Sequence, residues 1–108
     1  MMSMTPERQK LESALHTLRL QFAQNLAAEV AKLDAHLLRW QAGDEAALGA
    51  AIALAHGLAG SGSLFGRHDV TAAARALEQL LCHQPADWRL QLPAARLRLL
   101  NLCQAATG

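Results

Sequence analysis

Ala55-His56-Gly57-Leu58-Ala59-Gly60-Ser61-Gly62-Ser63-Leu64-Phe65-Gly66 sets one imidazole in a stretch that is almost free of side chains. On a helical wheel, at about 100° per residue, Leu48, Ile52, Ala55 and Ala59 mark the buried centre. His56 then falls roughly 80° from that centre, on the border between core and water. Its neighbours on the border are Gly49, Ala53, Gly57, Gly60 and Ser63. A glycine inside a helix costs about 1 kcal/mol relative to alanine. Glycines gathered around one histidine are therefore expected where something bulky must approach the backbone. The imidazole is predicted to stand on a bare surface, within reach of another macromolecule.

Outward from this stretch the chain reads as helices. Thr5 or Ser3 is placed to cap a first helix, with Pro6 as its first residue. Leu11, Leu15, Leu18 and Phe22 recur at helical spacing, and Leu26, Val30, Leu33, Leu37 and Trp40 continue the series. With no Pro or Gly between Lys10 and Ala42, the series is either one long helix or a short first helix that bends around Gln24 to Asn25 into a second. Gly43 suits a left-handed helix end, and Asp44 suits the cap of the next helix, which carries His56 to about Leu64. Gly66 closes that helix. Another is predicted from His68 to His83, with Val70, Ala73, Ala74, Leu77 and Leu81 inward. Gln84-Pro85-Ala86-Asp87-Trp88 is a connection. Pro93 either opens the last helix or lies near the start of one beginning around Asp87. Leu97, Leu100 and Cys103, flanked by Leu99 and Leu102, are its expected buried side. Short connections imply antiparallel neighbours. The predicted fold is all-α: an up-and-down antiparallel four-helix bundle with an additional N-terminal helix, one domain over 1–108.

Composition agrees. Hydrophobic residues make up 52 %, but aromatics are only 4 % and tyrosine is absent, so a sheet lacks its usual building blocks. The net charge of +1 includes no basic block of the kind that binds nucleic acid. Arg89, Arg96 and Arg98 read as a solvated face of the last helix. No run of about 18 consecutive apolar residues suggests a membrane span. The N-terminus lacks a secretory pattern, so a cytoplasmic location is expected. Cys82 and Cys103 read as reduced, buried thiols. His16, His36, His68 and His83 fall in no metal-ligand spacing and read as surface histidines. No metal site is predicted. Gly60-Ser61-Gly62-Ser63 lacks the Lys-Ser/Thr pair and the preceding strand of a phosphate loop.

The pattern His56, Leu58, Gly60, Ser61, Phe65, Gly66, followed by Leu77-Glu78 on the next helix, resembles the histidine-containing phosphotransfer (HPt) domain of two-component phosphorelays. The motif covers about a quarter of the chain, and helix pattern and length extend the likeness. It departs at Ala59, where the family usually has lysine, and Gly57 is an uncommon choice. The resemblance favours the bend around Gln24 to Asn25, with a short first helix leading into a second, and implies a phosphocarrier with no kinase or phosphatase activity of its own. His56 would accept a phosphoryl group, on Nε2, from the aspartate of a receiver domain in a response regulator or hybrid sensor kinase, or return it. The receiver would supply Mg²⁺ and the acidic pocket, so the chain needs no cofactor of its own.

A neutral imidazole is a nucleophile near pH 7, and phosphoryl transfer asks the protein mainly for positioning and charge stabilisation. Gly49, Ala53, Gly57, Ala59, Gly60, Ser63 and Arg67 are the expected partner-binding residues. Ser61 and Ser63 are placed either to donate to phosphoryl oxygens and orient the ring or, for Ser61, to serve the helix end or core. Phe65 is read as a core anchor beneath the site, and Glu78 as a contact to a neighbouring helix or turn. A monomer without nucleic-acid or membrane partners is expected. Two rivals remain. One is a docking module that uses the same face without phosphate, favoured by Ala59. The other is a plain dimerisation bundle, which exposed leucine or tryptophan stripes would favour.

Overall fold

A computed structural model describes residues 5–107, and the side chains of 5–104. Four helices run α1 Pro6–Gln41, α2 Ala46–Leu64, α3 His68–His83 and α4 Trp88–Thr107. Each packs on its neighbour in sequence, α4 returns against α1, and among the described residues neither α1 and α3 nor α2 and α4 approach closely. That is an up-and-down four-helix bundle.

Among the described residues the additional N-terminal helix is not a separate element. Neither Pro nor Gly falls between Lys10 and Ala42, so nothing ends the helix at Gln24 or Asn25, and α1 runs unbroken through them. Thr5 caps it by accepting the Arg8 N–H at 3.2 Å. Ser3, the other candidate cap, lies outside the described residues. At 36 residues α1 is about 54 Å long, and it accounts for the longest dimension of the molecule, 61 Å against 21 and 20 Å. Its first half outruns its neighbours, which is why Leu11, Leu15 and Leu18, expected inward, are exposed. Burial on α1 begins at Leu26.

Two glycines end helices in the left-handed region, Gly43 at φ +108° and Gly66 at φ +73°. Each closes the same double hydrogen bond, a Schellman motif. The N–H groups of Gly43 and Asp44 reach the carbonyls of Trp40 and Arg39, and those of Gly66 and Arg67 reach Ser63 and Gly62. Asp44 then starts α2, accepting the Ala46 N–H on Oδ1 while Oδ2 takes Arg39 at 2.8 Å. The Arg39 bond, aided by the Ala46 and Ala47 N–H groups, holds the Asp44 carboxyl below its usual range.

The core holds Leu26, Leu33, Leu37, Leu77, Leu81, Leu92 and Leu99 as its largest enclosed side chains, with Val70. On α4 the inward face is Leu92, Leu99 and Cys103, whereas Leu97 is exposed and Leu100 half-buried. Two long-range contacts set this rotation. Trp88 stacks on Trp40 with ring centroids 4.7 Å apart, and Arg96 forms a double hydrogen bond with Asp34 of α1. Arg96 is thus no part of a solvated face, and the tryptophans form no outward stripe. Pro93 lies inside α4, which starts at Trp88 behind Asp87.

His36 is half-buried, with an enclosed and unpartnered Nδ1, rather than a surface residue; His16, His68 and His83 are exposed. Cys82 is exposed, contrary to expectation, and Cys103 is buried. Burial pushes the Cys103 thiol up to about 11. At pH 8 the folded protein should therefore alkylate quickly at Cys82 alone, with Cys103 reacting only on unfolding. Mass spectrometry of iodoacetamide-treated protein checks this, and fast double labelling would contradict the buried position.

By length and hydropathy, α2 qualifies as a helix able to cross a membrane. Here it packs on both α1 and α3, and Ala47, Ala51, Ala55, Leu58, Ala59 and Gly62 are buried.

Candidate functional site

α2 buries its face through small residues, and this lets α1 and α3 lie close to it. The buried centre is Ala51, Ala55, Leu58, Ala59 and Gly62, whereas Leu48 and Ile52 are half-buried. The true face is therefore rotated slightly from the predicted one. His56 remains outside it, its side chain 77 % exposed. Gly49, Ala53, Gly60 and Ser63 follow at helical spacing on the same exposed side, with Gly57 adjacent. A Cβ at Gly49, Gly57 or Gly60 would meet no atom within 4 Å, so the surround of the imidazole is as bare as the sequence implied.

The ring is held from α3. His56 Nδ1 lies 2.9 Å from Glu78 Oε1. An ionised carboxylate only accepts, so Nδ1 carries the proton and donates. The other nitrogen, Nε2, keeps its lone pair and makes no hydrogen bond among the described residues. Glu78 is 23 % exposed and Leu77 beside it is fully buried, so the carboxylate stands on a well-anchored turn. Glu78 therefore makes the contact to a neighbouring helix expected of it, and that contact orients the imidazole. Only the pairing of α2 with α3 brings the two together, across 22 positions of sequence.

A shallow groove beside the ring is lined by His56, Ala59, Gly60, Arg75, Glu78 and Gln79. Its α3 wall, Arg75, Glu78 and Gln79, has the i, i+3, i+4 spacing of one helix face. Arg75 and Gln79 were not among the residues singled out from sequence.

Two expected partner-binding residues, Ala59 and Arg67, are engaged within the bundle, and Phe65 is not where it was expected. Ala59 is only 5 % exposed, and its carbonyl accepts the Thr71 hydroxyl at 2.8 Å, so it belongs to the α2–α3 contact more than to a docking surface. The Arg67 guanidinium is committed to Asp69 and to the Leu102 carbonyl, tying the α2–α3 turn to α4. Phe65 is no core anchor beneath the histidine. It is partly exposed at the end of α2 and stacks on Phe22 of α1 with centroids 4.4 Å apart. The Ser61 and Ser63 side chains are exposed, and the Ser61 carbonyl accepts the Phe65 N–H at the helix end.

An exposed histidine at mid-helix, held through Nδ1 by a carboxylate on the next helix of a four-helix bundle, is the arrangement on which the comparisons bear. The family model for the Hpt domain matches residues 17–107, nearly the whole chain. The chain belongs to the Hpt-domain family. Comparison with curated proteins and with solved structures finds no match. Membership places this Hpt domain among the helical modules that carry phosphoryl groups on histidine in two-component signalling, phosphocarriers rather than enzymes. The matched span omits the exposed first turns of α1, so the family likeness begins about where the bundle does.

Proposed function

We propose that His56 is the phosphoacceptor of this Hpt domain and exchanges its phosphoryl group with the aspartate of a receiver domain. The observation that carries the reading is the Nδ1–Glu78 hydrogen bond beneath an otherwise unencumbered Nε2. The Nε2 lone pair attacks the phosphorus of the acyl phosphate. The P–N bond forms as the P–O bond breaks, and the receiver's aspartate leaves as a carboxylate. No proton need move: Nδ1 keeps its hydrogen, and the imidazolium charge that develops is met by Glu78. Catalysis by this chain is then positioning plus one fixed counter-charge. Mg²⁺ would be held in the receiver's acidic pocket, where it would supply charge balance for the transferring group.

The rival is a docking module that never carries phosphate. The absence of a lysine at Ala59 favours it. Against it stands the His56–Glu78 pair, since docking alone gives no reason to hold one ring nitrogen and leave the other open.

The docking face is tested at Gly60, one helical turn from His56. Gly60→Gln should weaken binding of a receiver at least about tenfold, because the new side chain stands where the partner must approach the backbone. The melting temperature should hold or rise, since glutamine is the better helix former and nothing lies within 4 Å of the new Cβ. Titration calorimetry with a receiver and a thermal melt give both readings. Undiminished binding by the folded variant would move the docking face elsewhere.

A further inference from the structure

We propose that Arg75 is the phosphoryl-binding cation of this site, reaching from α3 to the group carried on His56. The inference rests on His56 being the acceptor. A phosphoryl group on Nε2 brings close to two negative charges, and Glu78, the charged side chain bonded to the ring, repels them. α2 cannot answer that repulsion, since between Ala46 and Leu64 it contains no Lys, Arg, Asp or Glu.

The groove beside the ring has one cationic side chain, Arg75. Three residues on from His56 along α2 is Ala59, and three back from Glu78 along antiparallel α3 is Arg75. The register is fixed by the His56–Glu78 bond at one end and the Thr71–Ala59 bond at the other. Arg75 is exposed and forms no ion pair or hydrogen bond among the described residues, and Glu78, on its own face one turn away, is engaged by the histidine. Arg8, Lys32, Arg39, Arg67 and Arg96, by contrast, are each paired with a carboxylate. An unpaired guanidinium at the edge of the groove presents a planar fork of donors suited to phosphoryl oxygens.

The test uses phosphoramidate, which reports on His56 without a receiver. Nε2 attacks its phosphorus, the P–N bond to nitrogen breaks, and ammonia leaves. Wild-type protein, Arg75→Gln and Arg75→Lys are labelled, and the phosphohistidine is followed by ³¹P NMR. In Arg75→Gln the labelled fraction should fall about three- to tenfold, and the phosphoryl resonance should titrate at higher pH, because a lost cation favours the monoanion. Arg75→Lys should restore most of both. In the wild-type protein the Arg75 side-chain N–H resonance should shift on phosphorylation, a reading that does not depend on any variant folding. A labelled wild type with an unmoved Arg75 resonance, or an Arg75→Gln that folds and matches it in fraction and midpoint, overturns the assignment of Arg75 and leaves His56 standing. Wild-type protein that takes no phosphate on histidine overturns both.

Discussion

Replacing His56 with glutamine will leave the bundle folded and reduce labelling by a phosphorylated receiver to background. The side chain is 77 % exposed, so its loss removes no core contact. The glutamine amide still has the length to meet Glu78 but offers no nucleophilic nitrogen. Wild-type label should be stable to alkali and labile to acid, as an N–P bond is. Variants at His16, His36, His68 or His83 should keep it, because none of these is held by a carboxylate beside a bare helix face. Glu78→Ala separates orientation from chemistry. It leaves the imidazole and frees the ring, so transfer should slow by about tenfold, the kinetic equivalent of one hydrogen bond to a charged group. Label persisting in the His56 variant would reassign the acceptor.

Gly62→Val should be the most disruptive change along the glycine-rich run, although the same run contains Gly60. A Cβ at Gly62 would lie 2.6 Å from Thr71 Oγ1, 2.9 Å from the Arg67 carbonyl oxygen and 3.0 Å from the Thr71 nitrogen. None of these atoms yields easily. The hydroxyl is bound to the Ala59 carbonyl at 2.8 Å, and the Arg67 carbonyl accepts the Thr71 N–H. The first turn of α3 would have to lift off α2. Overpacking of this kind costs about 1–3 kcal/mol, and a β-branched side chain sits at the upper end. For a domain of this size, that lowers the melting temperature by roughly 10–20 °C. Gly60→Ala makes no such contact and should gain up to about 1 kcal/mol. Thermal melts of the two variants should move in opposite directions. Equal melting temperatures would mean that α2 and α3 are not packed this closely at Gly62.

The two glycines show where reading along the chain stopped. Both occupy a helix that accepts them at a cost, and only Gly60 carried the expectation of room for a partner. One is a bare surface position, and the other is a buried contact against the start of α3. The distinction depends on which helix lies opposite, and periodicity along α2 carries no record of that.

Local physics settled a good deal. Alanine, leucine and arginine dominate and strand formers are few, so the chain had to be helical. Gly43 and Gly66 ended helices because left-handed closure suits glycine. Thr5 with Pro6 started α1, and Asp44 capped the start of α2. His56 was marked by its own neighbours, since a glycine cluster around one polar residue is visible on a wheel.

Tertiary structure decided what depends on two segments at once. The expected bend at Gln24 and Asn25 did not form, because no local breaker existed to impose it. Leu11, Leu15 and Leu18 are apolar at helical spacing yet exposed, since a stripe says which way a helix faces and not whether a neighbour extends far enough to cover it. The rotation of α4 followed from Trp88 on Trp40 and Arg96 on Asp34, partners more than 40 positions away in sequence. The carboxylate that selects a tautomer for His56, and the arginine that shares its groove with Ala59, both come from α3. Sequence marked the exposed imidazole because its surroundings are local. The charged groups beside it, Glu78 and Arg75, became visible only where α3 lies against α2.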